Sequence, residues 1–186
     1  MGLTTSHRGR LLVAEPTLAD PNFHRTVVYL IEHNDEGSLG VVLNRPSETP
    51  VHAVVPTWSP YVSDPKILFT GGPVSPEAAI CLGRCDDGSD SPLWTGLSNG
   101  IGVIDLNGDP LDAPAGVTGL RVFAGYSGWS AGQLESEMAM DGWFVLDAEA
   151  DDIFAETADE LWRRVLSRQS GPVRRFASFP EDPSVN

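Results

Sequence analysis

The stretch Gly125–Glu137 reads Gly-Tyr-Ser-Gly-Trp-Ser-Ala-Gly-Gln-Leu-Glu-Ser-Glu, and the rest of the chain is organised around it. It follows an apolar run, Leu120–Tyr126, which has the composition of a buried strand. Ser130 lies three residues before Gln133, which is the spacing of a capping box and predicts that a helix begins there. The pattern therefore predicts a strand, a tight glycine turn and a helix.

This predicted turn has two interpretations. A strand that leads through glycines into a helix often holds an anion or ligand at the helix N-terminus. Alternatively, the glycines let the helix lie close to the sheet while Trp129 covers the edge of the core. We favour packing, and the binding interpretation stays open.

The flanking sequence predicts an α+β protein. Thr157–Gln169 has one apolar stripe and predicts the main helix, with a second capping-box pattern at Thr157 and Glu160. There is no regular alternation of strands and helices, which favours a single domain, residues 1–186, with a mostly antiparallel sheet and a few helices. We expect flexible ends at residues 1–8 and 177–186. The predicted strands are Arg10–Ala14, Thr26–Glu32, Ser38–Leu43, Lys66–Thr70, Glu77–Gly83, Ile101–Leu106, Leu120–Tyr126 and Gly142–Asp147.

The charge balance argues against direct contact with nucleic acid. The chain has 12 Lys and Arg against 26 Asp and Glu, a net charge of −14, and its pI is near 4.4. Such a surface repels phosphate backbones. No apolar run is long enough to span a bilayer, and residues 1–10 lack the apolar core of a signal peptide, so we expect a cytoplasmic protein. The best basic patch, which we interpret as helix-end cations, is Arg163, Arg164, Arg168, Arg174 and Arg175.

Neither a metal site nor a cofactor site is predicted. Cys81 and Cys85 do not form a C-x-x-C motif, and we interpret them as a buried strand cysteine and an incidental loop cysteine. The four histidines are scattered and give no zinc ligand set. A group of oxygen donors suggests calcium, but no glutamate closes an EF-hand loop, and a β-turn accounts for it better. That group is Asp86, Asp87, Asp90, Asp105, Asn107 and Asp109.

A hydrolase is the alternative to a non-catalytic protein. Ser127 and Ser130 lie in a glycine-rich stretch that loosely resembles a nucleophile elbow, Gly-x-Ser-x-Gly. Trp129 stands where the elbow requires its last glycine, and the base would have to be His24 or His33. Gly71-Gly72 is too short for a P-loop that binds phosphate. We therefore expect no enzymatic activity and keep the hydrolase as the second hypothesis.

Several segments, in order, resemble the AlgH/YqgE family of bacterial proteins. The resemblance runs from about Gly9 to Gln169, and the ending Phe179–Asn186 resembles its actinobacterial branch. It implies a compact α+β fold with a sheet curled toward a pseudo-barrel, in a cytosolic protein without an established activity or cofactor. The family name comes from a proposed role in transcriptional control of exopolysaccharide, so the resemblance implies a transcriptional regulator without establishing DNA contact. The chain departs from the family pattern at Ser127 and Ser130, where alanine and glycine are common. The matching segments are Gly9–Ala14, Asp20–Phe23, Glu32–Gly37, Gly40–Pro46, Gly71–Val74, Gly125–Trp129 and Gln133–Glu135.

We hypothesise that three loops meet at one end of the sheet and bind an unknown protein partner or small ligand without chemistry. They are Asn22-Phe23, the turn Gly71–Pro73 and the stretch Gly125–Glu135, each next to a predicted strand. Rigid aromatic groups beside adaptable polar groups are typical of binding hot spots, and this binding hypothesis requires Trp129 to be exposed, whereas packing predicts that it covers the core. The polar residues of these loops either converge on one cleft or pair with one another, Arg25 and Arg45 with Glu32 or Glu135. The full candidate surface is Asn22, Phe23, Arg25, His33, Asn44, Arg45, Gly71, Gly72, Gly125, Tyr126, Gly128, Trp129, Gln133 and Glu135.

Overall fold

The computed structural model of the protein describes residues 5–86 and 90–181, which form ten strands and three α-helices. The expectation of flexible ends falls partly on residues 1–4 and 182–186, which lie outside the described residues. The strands are β1 (Arg10–Ala14), β2 (Val27–Asn34), β3 (Gly37–Val42), β4 (Pro46–Pro50), β5 (Ile67–Thr70), β6 (Val74–Cys85), β7 (Trp94–Ser98), β8 (Ile101–Ile104), β9 (Val117–Ser130) and β10 (Trp143–Asp147). The helices are α1 (Gln133–Ala139), α2 (Ala150–Ile153) and α3 (Leu161–Ser167).

The strands form one curled sheet, which confirms the predicted α+β fold. Its order is β10-β1-β2-β3-β9-β6-β8-β7, and every neighbouring pair along this path is antiparallel. β5 adds a parallel pair beside β9, with β4 beyond it. The curl brings β7 back to the chain before β1, where Arg8 donates a hydrogen bond to the Gly96 carbonyl oxygen at 3.1 Å. The result is an antiparallel half-barrel.

β9 is the longest strand, and it corrects the prediction of a tight glycine turn. The strand continues through Gly125 and Gly128 to Ser130, and only two residues separate it from α1. Gly125 has φ +71°, a conformation open to glycine, at the point where β9 changes partner from β6 to β3. Extended backbone prevails over a turn because residues 127–130 pair with Gly37–Gly40 of β3.

Both capping-box predictions are wrong. Gly132 is the N-cap of α1, because pairing with β3 holds Ser130 in the sheet. Only the glutamine half of the box forms, since Gln133 Oε1 accepts the Ser130 backbone N–H at 3.0 Å. Thr157 makes no side-chain cap, and the predicted long helix splits into a 3-10 turn, Ala158–Glu160, and α3.

Alternation along the strands divides the core between the two faces of the sheet. In β1, Leu11 and Val13 face the concave side while Leu12 and Ala14 face the convex side. The apolar stripe of α3, centred on Trp162, fills the concave side. The convex side is covered by α1 at one end and by the segment of residues 51–62 at the other. Among the described residues, none of the helices has the length and apolar character needed to cross a membrane.

Candidate interaction site

Two neighbouring side chains after β3 fix the shape of the loop before β2. The Asn44 amide accepts the Val27 N–H and donates to the Arg25 carbonyl oxygen, both at 2.9 Å. The Arg45 guanidinium donates to the carbonyl oxygens of Pro21 at 3.3 Å and His24 at 3.0 Å. Both side chains therefore hold the loop of residues 20–25 in place, and no ion pair from Arg45 to an acidic residue is found among the described residues.

A recess opens beside this loop, and we call it the Arg45 recess. Its volume is about 210 Å³, and it is bounded by the loop before β2, the start of β4 and the turn after β5. The Thr70 backbone N–H donates to the Arg45 carbonyl oxygen at 2.7 Å, which joins two of its walls. The lining residues are Asn22, Val42, Arg45, Pro46, Thr70, Gly72 and Pro73.

The turn after β5 is anchored to β9 so closely that it needs glycine. The Gly71 carbonyl oxygen accepts hydrogen bonds from the Val42 N–H at 2.8 Å and from Ser127 Oγ at 3.0 Å. A Cβ atom added at Gly72 would lie 2.2 Å from the carbonyl carbon of Tyr126. The turn is therefore a rigid wall of the recess rather than a loop that adapts to a ligand.

Trp129 is 5% exposed, which agrees with the packing interpretation and contradicts the exposure that the binding hypothesis requires. Because β9 continues as a strand, its side chains alternate, and Trp129 lies on the convex face beneath α1. Its ring is 6.0 Å from those of Phe23 and Trp143, and Phe23 and Trp143 are 5.5 Å apart edge to face. These contacts make Trp129 a core residue.

Glu137 on α1 holds this aromatic cluster together, and only its helical spacing from Gln133 could have indicated this role. Its Oε2 accepts the indole N–H groups of Trp129 and Trp143, each at 2.9 Å. Its Oε1 accepts the Gln133 side-chain amide, four residues earlier, at 3.1 Å. Gln133 is thus part of the packing of α1 on the sheet.

His33 and Glu135 form a separate pair at the β2–β3 hairpin. The buried His33 ring accepts the His7 backbone N–H on Nδ1 at 2.9 Å. Since an amide N–H only donates, the ring proton lies on Nε2, which donates to Glu135 Oε1 at 2.8 Å. This hydrogen bond holds the pKa of Glu135 below its usual value. Both nitrogens of His33 are therefore occupied.

The two serines are also engaged elsewhere. Ser127 is fully buried and bound to Gly71, while Ser130 Oγ donates to Gln133 Oε1 at 3.2 Å. His24 Nδ1 lies 3.2 Å from the Leu18 carbonyl oxygen. Across residues 5–86 and 90–181, no histidine bonds to either serine, which a serine nucleophile with a histidine base requires.

Two arginines of the predicted basic patch, Arg163 and Arg168, and Arg25 outside the patch bond to other parts of the chain. Arg168 forms two bonds of 2.6 and 2.7 Å to the buried carboxylate of Asp152, and these bonds raise its pKa. Arg163 donates to the Ala177 carbonyl oxygen at 2.9 Å. Arg25 lies 4.3 Å above the Trp162 ring and donates to the Phe179 carbonyl oxygen at 2.6 Å. These three arginines hold α2 and the C-terminal segment against α3.

The cysteines and acidic turns give no chemical site. Cys81 and Cys85 are both buried free thiols on β6, so Cys85 is a strand residue and not a loop residue, and burial raises the pKa of Cys81 to about 12. Asp105 Oδ1 accepts from the backbone and side chain of Asn107 in a turn. Asp87 lies outside the described residues. Within the part of the chain that the structure describes, no three His, Cys, Asp or Glu side chains are placed to hold a metal ion.

The candidate surface is thus distributed over neighbouring places rather than one cleft. The three predicted loops do lie against one another, since Asn22 and Gly72 share the recess while Phe23 stacks on Trp129. The sequence did not predict the other residues that line the recess. Of these, Thr70 ends a predicted strand, and Pro46 follows the predicted strand Ser38–Leu43 by three residues. Asn22, Arg45 and Gly72 line the recess, and Asn44 and Gly71 support its walls. Phe23, Trp129 and Gln133 pack beneath α1, while His33 and Glu135 pair at the hairpin. Arg25 and Tyr126 pack toward the concave core, and Gly125 and Gly128 lie in β9.

Comparisons with known proteins agree with this architecture. A family model described as DUF179, AlgH-like, matches residues 11–174. A UPF0301 protein of Thermobifida fusca is 46% identical over 187 residues, which cover 96% of this chain and 94% of the relative. A UPF0301 protein of Mycobacterium ulcerans is 48% identical over 182 residues, which cover 96% of this chain and 90% of the relative. A crystal structure from Corynebacterium diphtheriae has a TM-score of 0.88 at 32% identity, covering 96% of this chain and 95% of that chain. The solution structure of AlgH from Pseudomonas aeruginosa has a TM-score of 0.70 at 26% identity, covering 97% of both chains.

Proposed function

We propose that this chain, which belongs to the AlgH-like family, is a non-catalytic recognition protein that binds its partner at the Arg45 recess. One observation carries the proposal. The walls of the recess are fixed by hydrogen bonds, while the solvent-exposed Asn22 side-chain amide and Thr70 hydroxyl bond to no protein group within residues 5–86 and 90–181 and are available to a partner. Fixed concave walls with unused polar groups are typical of a binding site.

The engagement of the candidate catalytic groups supports recognition over hydrolysis. The Ser127 hydroxyl is buried and donates a hydrogen bond to the Gly71 carbonyl oxygen. Both ring nitrogens of His33 are occupied by hydrogen bonds, so neither is available to accept a proton from a serine. A general base must reach the proton that it removes. We extend the proposal to a cytoplasmic regulatory role, exerted through contact with a partner and without direct contact with DNA.

The purified protein is expected not to bind duplex DNA tightly at physiological salt. Its net charge of −14 opposes binding, and Arg163 and Arg168 are already held by carbonyl and carboxylate groups. A gel-shift titration measures this. Tight binding that is lost in the double variant Arg174→Ala, Arg175→Ala would contradict the expectation and make the C-terminal arginines a DNA site.

Partner capture from the native host tests the proposed function. Wild-type protein carrying an affinity tag would be cross-linked in cell extract and its captured proteins identified by mass spectrometry. We expect a specific partner that is lost with Asn22→Asp, because the substitution places a carboxylate in the recess and Asn22 is exposed, so that the fold is kept.

Asn34→Asp is the matched control. It makes the same change of charge on the exposed β2–β3 hairpin, where Asn34 Oδ1 accepts the Glu36 N–H and an aspartate would accept it equally. The control is expected to retain the partner. A partner that binds both variants equally would remove the recess from the proposed function.

A further inference from the structure

We propose that the Arg45 recess binds a small oxyanion, a carboxylate or phosphate group that the partner presents. This inference rests on the proposed function, which places recognition at the recess, and it adds the chemical class of the ligand. Four features carry it: the donors that face the recess, the sign of its charge, its size and its rigidity.

The polar groups of the recess are rich in hydrogen-bond donors. A guanidinium has five N–H donors in a planar fork that suits carboxylate and phosphate oxygens. In Arg45 the terminal nitrogens bond two carbonyl oxygens, which orients the fork and leaves further N–H groups for a ligand. The Asn22 amide and the Thr70 hydroxyl each offer another donor, and neither has a hydrogen-bond partner within the described residues.

The charge of the recess is opposite to that of the protein. The chain carries 26 acidic residues, and none of those in residues 5–86 and 90–181 lines the recess, where Arg45 supplies the charge. The carboxylate nearest in sequence, Asp20, accepts the Asn22 backbone N–H at 2.9 Å and is thereby held in the loop. An arginine facing a concave surface without carboxylates is complementary to an anion.

The size of the recess limits the ligand. Its volume of about 210 Å³ is smaller than the ~300–1,000 Å³ of pockets that hold larger organic ligands. Val42, Pro46 and Pro73 form apolar walls around the polar groups. A phosphate ion or a short-chain carboxylate has the size and polarity that fit such a site.

The walls of the recess are fixed before any ligand arrives. Thr70 is joined to the Arg45 backbone at 2.7 Å, and the adjoining turn is anchored to β3 and β9 through Gly71. Fixed donors lose little freedom when they bind an anion. The recess is therefore preorganised, and binding is expected without a change of backbone conformation.

Titration by ¹⁵N–¹H nuclear magnetic resonance tests the inference. Sodium phosphate and sodium propionate would be added separately, with sodium chloride at the same ionic strength as reference. We expect saturable shifts at the amides of Asn22, Arg45, Thr70 and Gly72 with at least one of the two anions. Saturation by phosphate alone assigns a phosphate ligand, saturation by propionate alone assigns a carboxylate ligand, and saturation by both supports the shared oxyanion chemistry.

Two near-isosteric variants keep the fold and test the contacts. Asn22→Asp is expected to weaken anion binding by about tenfold or more through charge repulsion, whereas Asn34→Asp retains the wild-type affinity. Thr70→Val removes one donor and is expected to weaken binding by about threefold to tenfold.

Three results would overturn the inference. They are the absence of saturable shifts with both anions, shifts centred outside the recess, and equal anion affinity in Asn22→Asp and Asn34→Asp. If the anions fail while the captured partner still depends on Asn22, the ligand class is wrong and the proposed function stands. If capture loses its dependence on Asn22, the proposed function fails independently.

Discussion

Replacing Trp162 with alanine is expected to lower the free energy of unfolding by about 3–5 kcal/mol, because it empties the centre of the concave core. The side chain is 2% exposed, and its indole N–H donates to the Ala14 carbonyl oxygen at 2.9 Å. The Arg25 guanidinium lies 4.3 Å above the ring and would lose this contact as well. Urea denaturation followed by circular dichroism measures the change.

Two further variants define what the Trp162 result means. Trp162→Phe keeps a ring but removes the N–H donor to Ala14, so its cost is expected to lie between wild type and alanine. Leu111→Ala alters a side chain that is 83% exposed and is expected to change stability by no more than about 0.5 kcal/mol. An unchanged unfolding midpoint in Trp162→Ala would exclude Trp162 from the core.

The substitution Arg121→Met is expected to cost about 3–5 kcal/mol, because it leaves buried carbonyl oxygens without a donor. Arg121 is 1% exposed and donates to the carbonyl oxygens of Ile153 and Ala155 at 2.9 Å and of Asp64 at 2.8 Å. Burial lowers the pKa of Arg121 to about 10, so the group stays charged at neutral pH. Arg121 thus joins β9 to the end of α2, to the chain just after it and to the turn before β5.

A matched substitution separates this effect from the loss of a positive charge. Arg164→Met makes the same change at an exposed position on α3 and is expected to leave the unfolding midpoint nearly unchanged. Both variants would be compared by thermal and urea unfolding. Equal stability of Arg121→Met and Arg164→Met would show that the three carbonyl contacts contribute little to the fold.

The sequence predicted the strands whose side chains carry a strong local signal. Val27–Asn34 and Ile101–Ile104 are rich in β-branched residues and were found close to their predicted bounds. β4 begins and ends with proline and has two polar residues and a glutamate between, so no local pattern marks it as a strand. Its extended form comes from pairing with β5, which is a tertiary effect.

The same limit explains the errors around the central stretch. Glycines at residues 125, 128 and 132 have the composition of a turn, but β9 continues through Gly125, where its partner changes from β6 to β3, and pairing with β3 keeps Gly128 in the strand. That continuation determines the position of Trp129, whose burial a turn would not have produced. Asn22, Arg45 and Gly72 were predicted to belong to one surface, and they line one recess. Thr70 was missed because it became a wall only when β5 paired beside β9.

Hydrogen–deuterium exchange with mass spectrometry tests the central claim most directly. The exchange of the wild-type protein alone would be compared with that of its complex with the partner isolated by cross-link capture. Recognition at the Arg45 recess predicts slower exchange in residues 20–25, 43–46 and 70–74, with little change in α1 or at the β2–β3 hairpin. Protection centred on other elements, with unchanged exchange in those three segments, would contradict the claim.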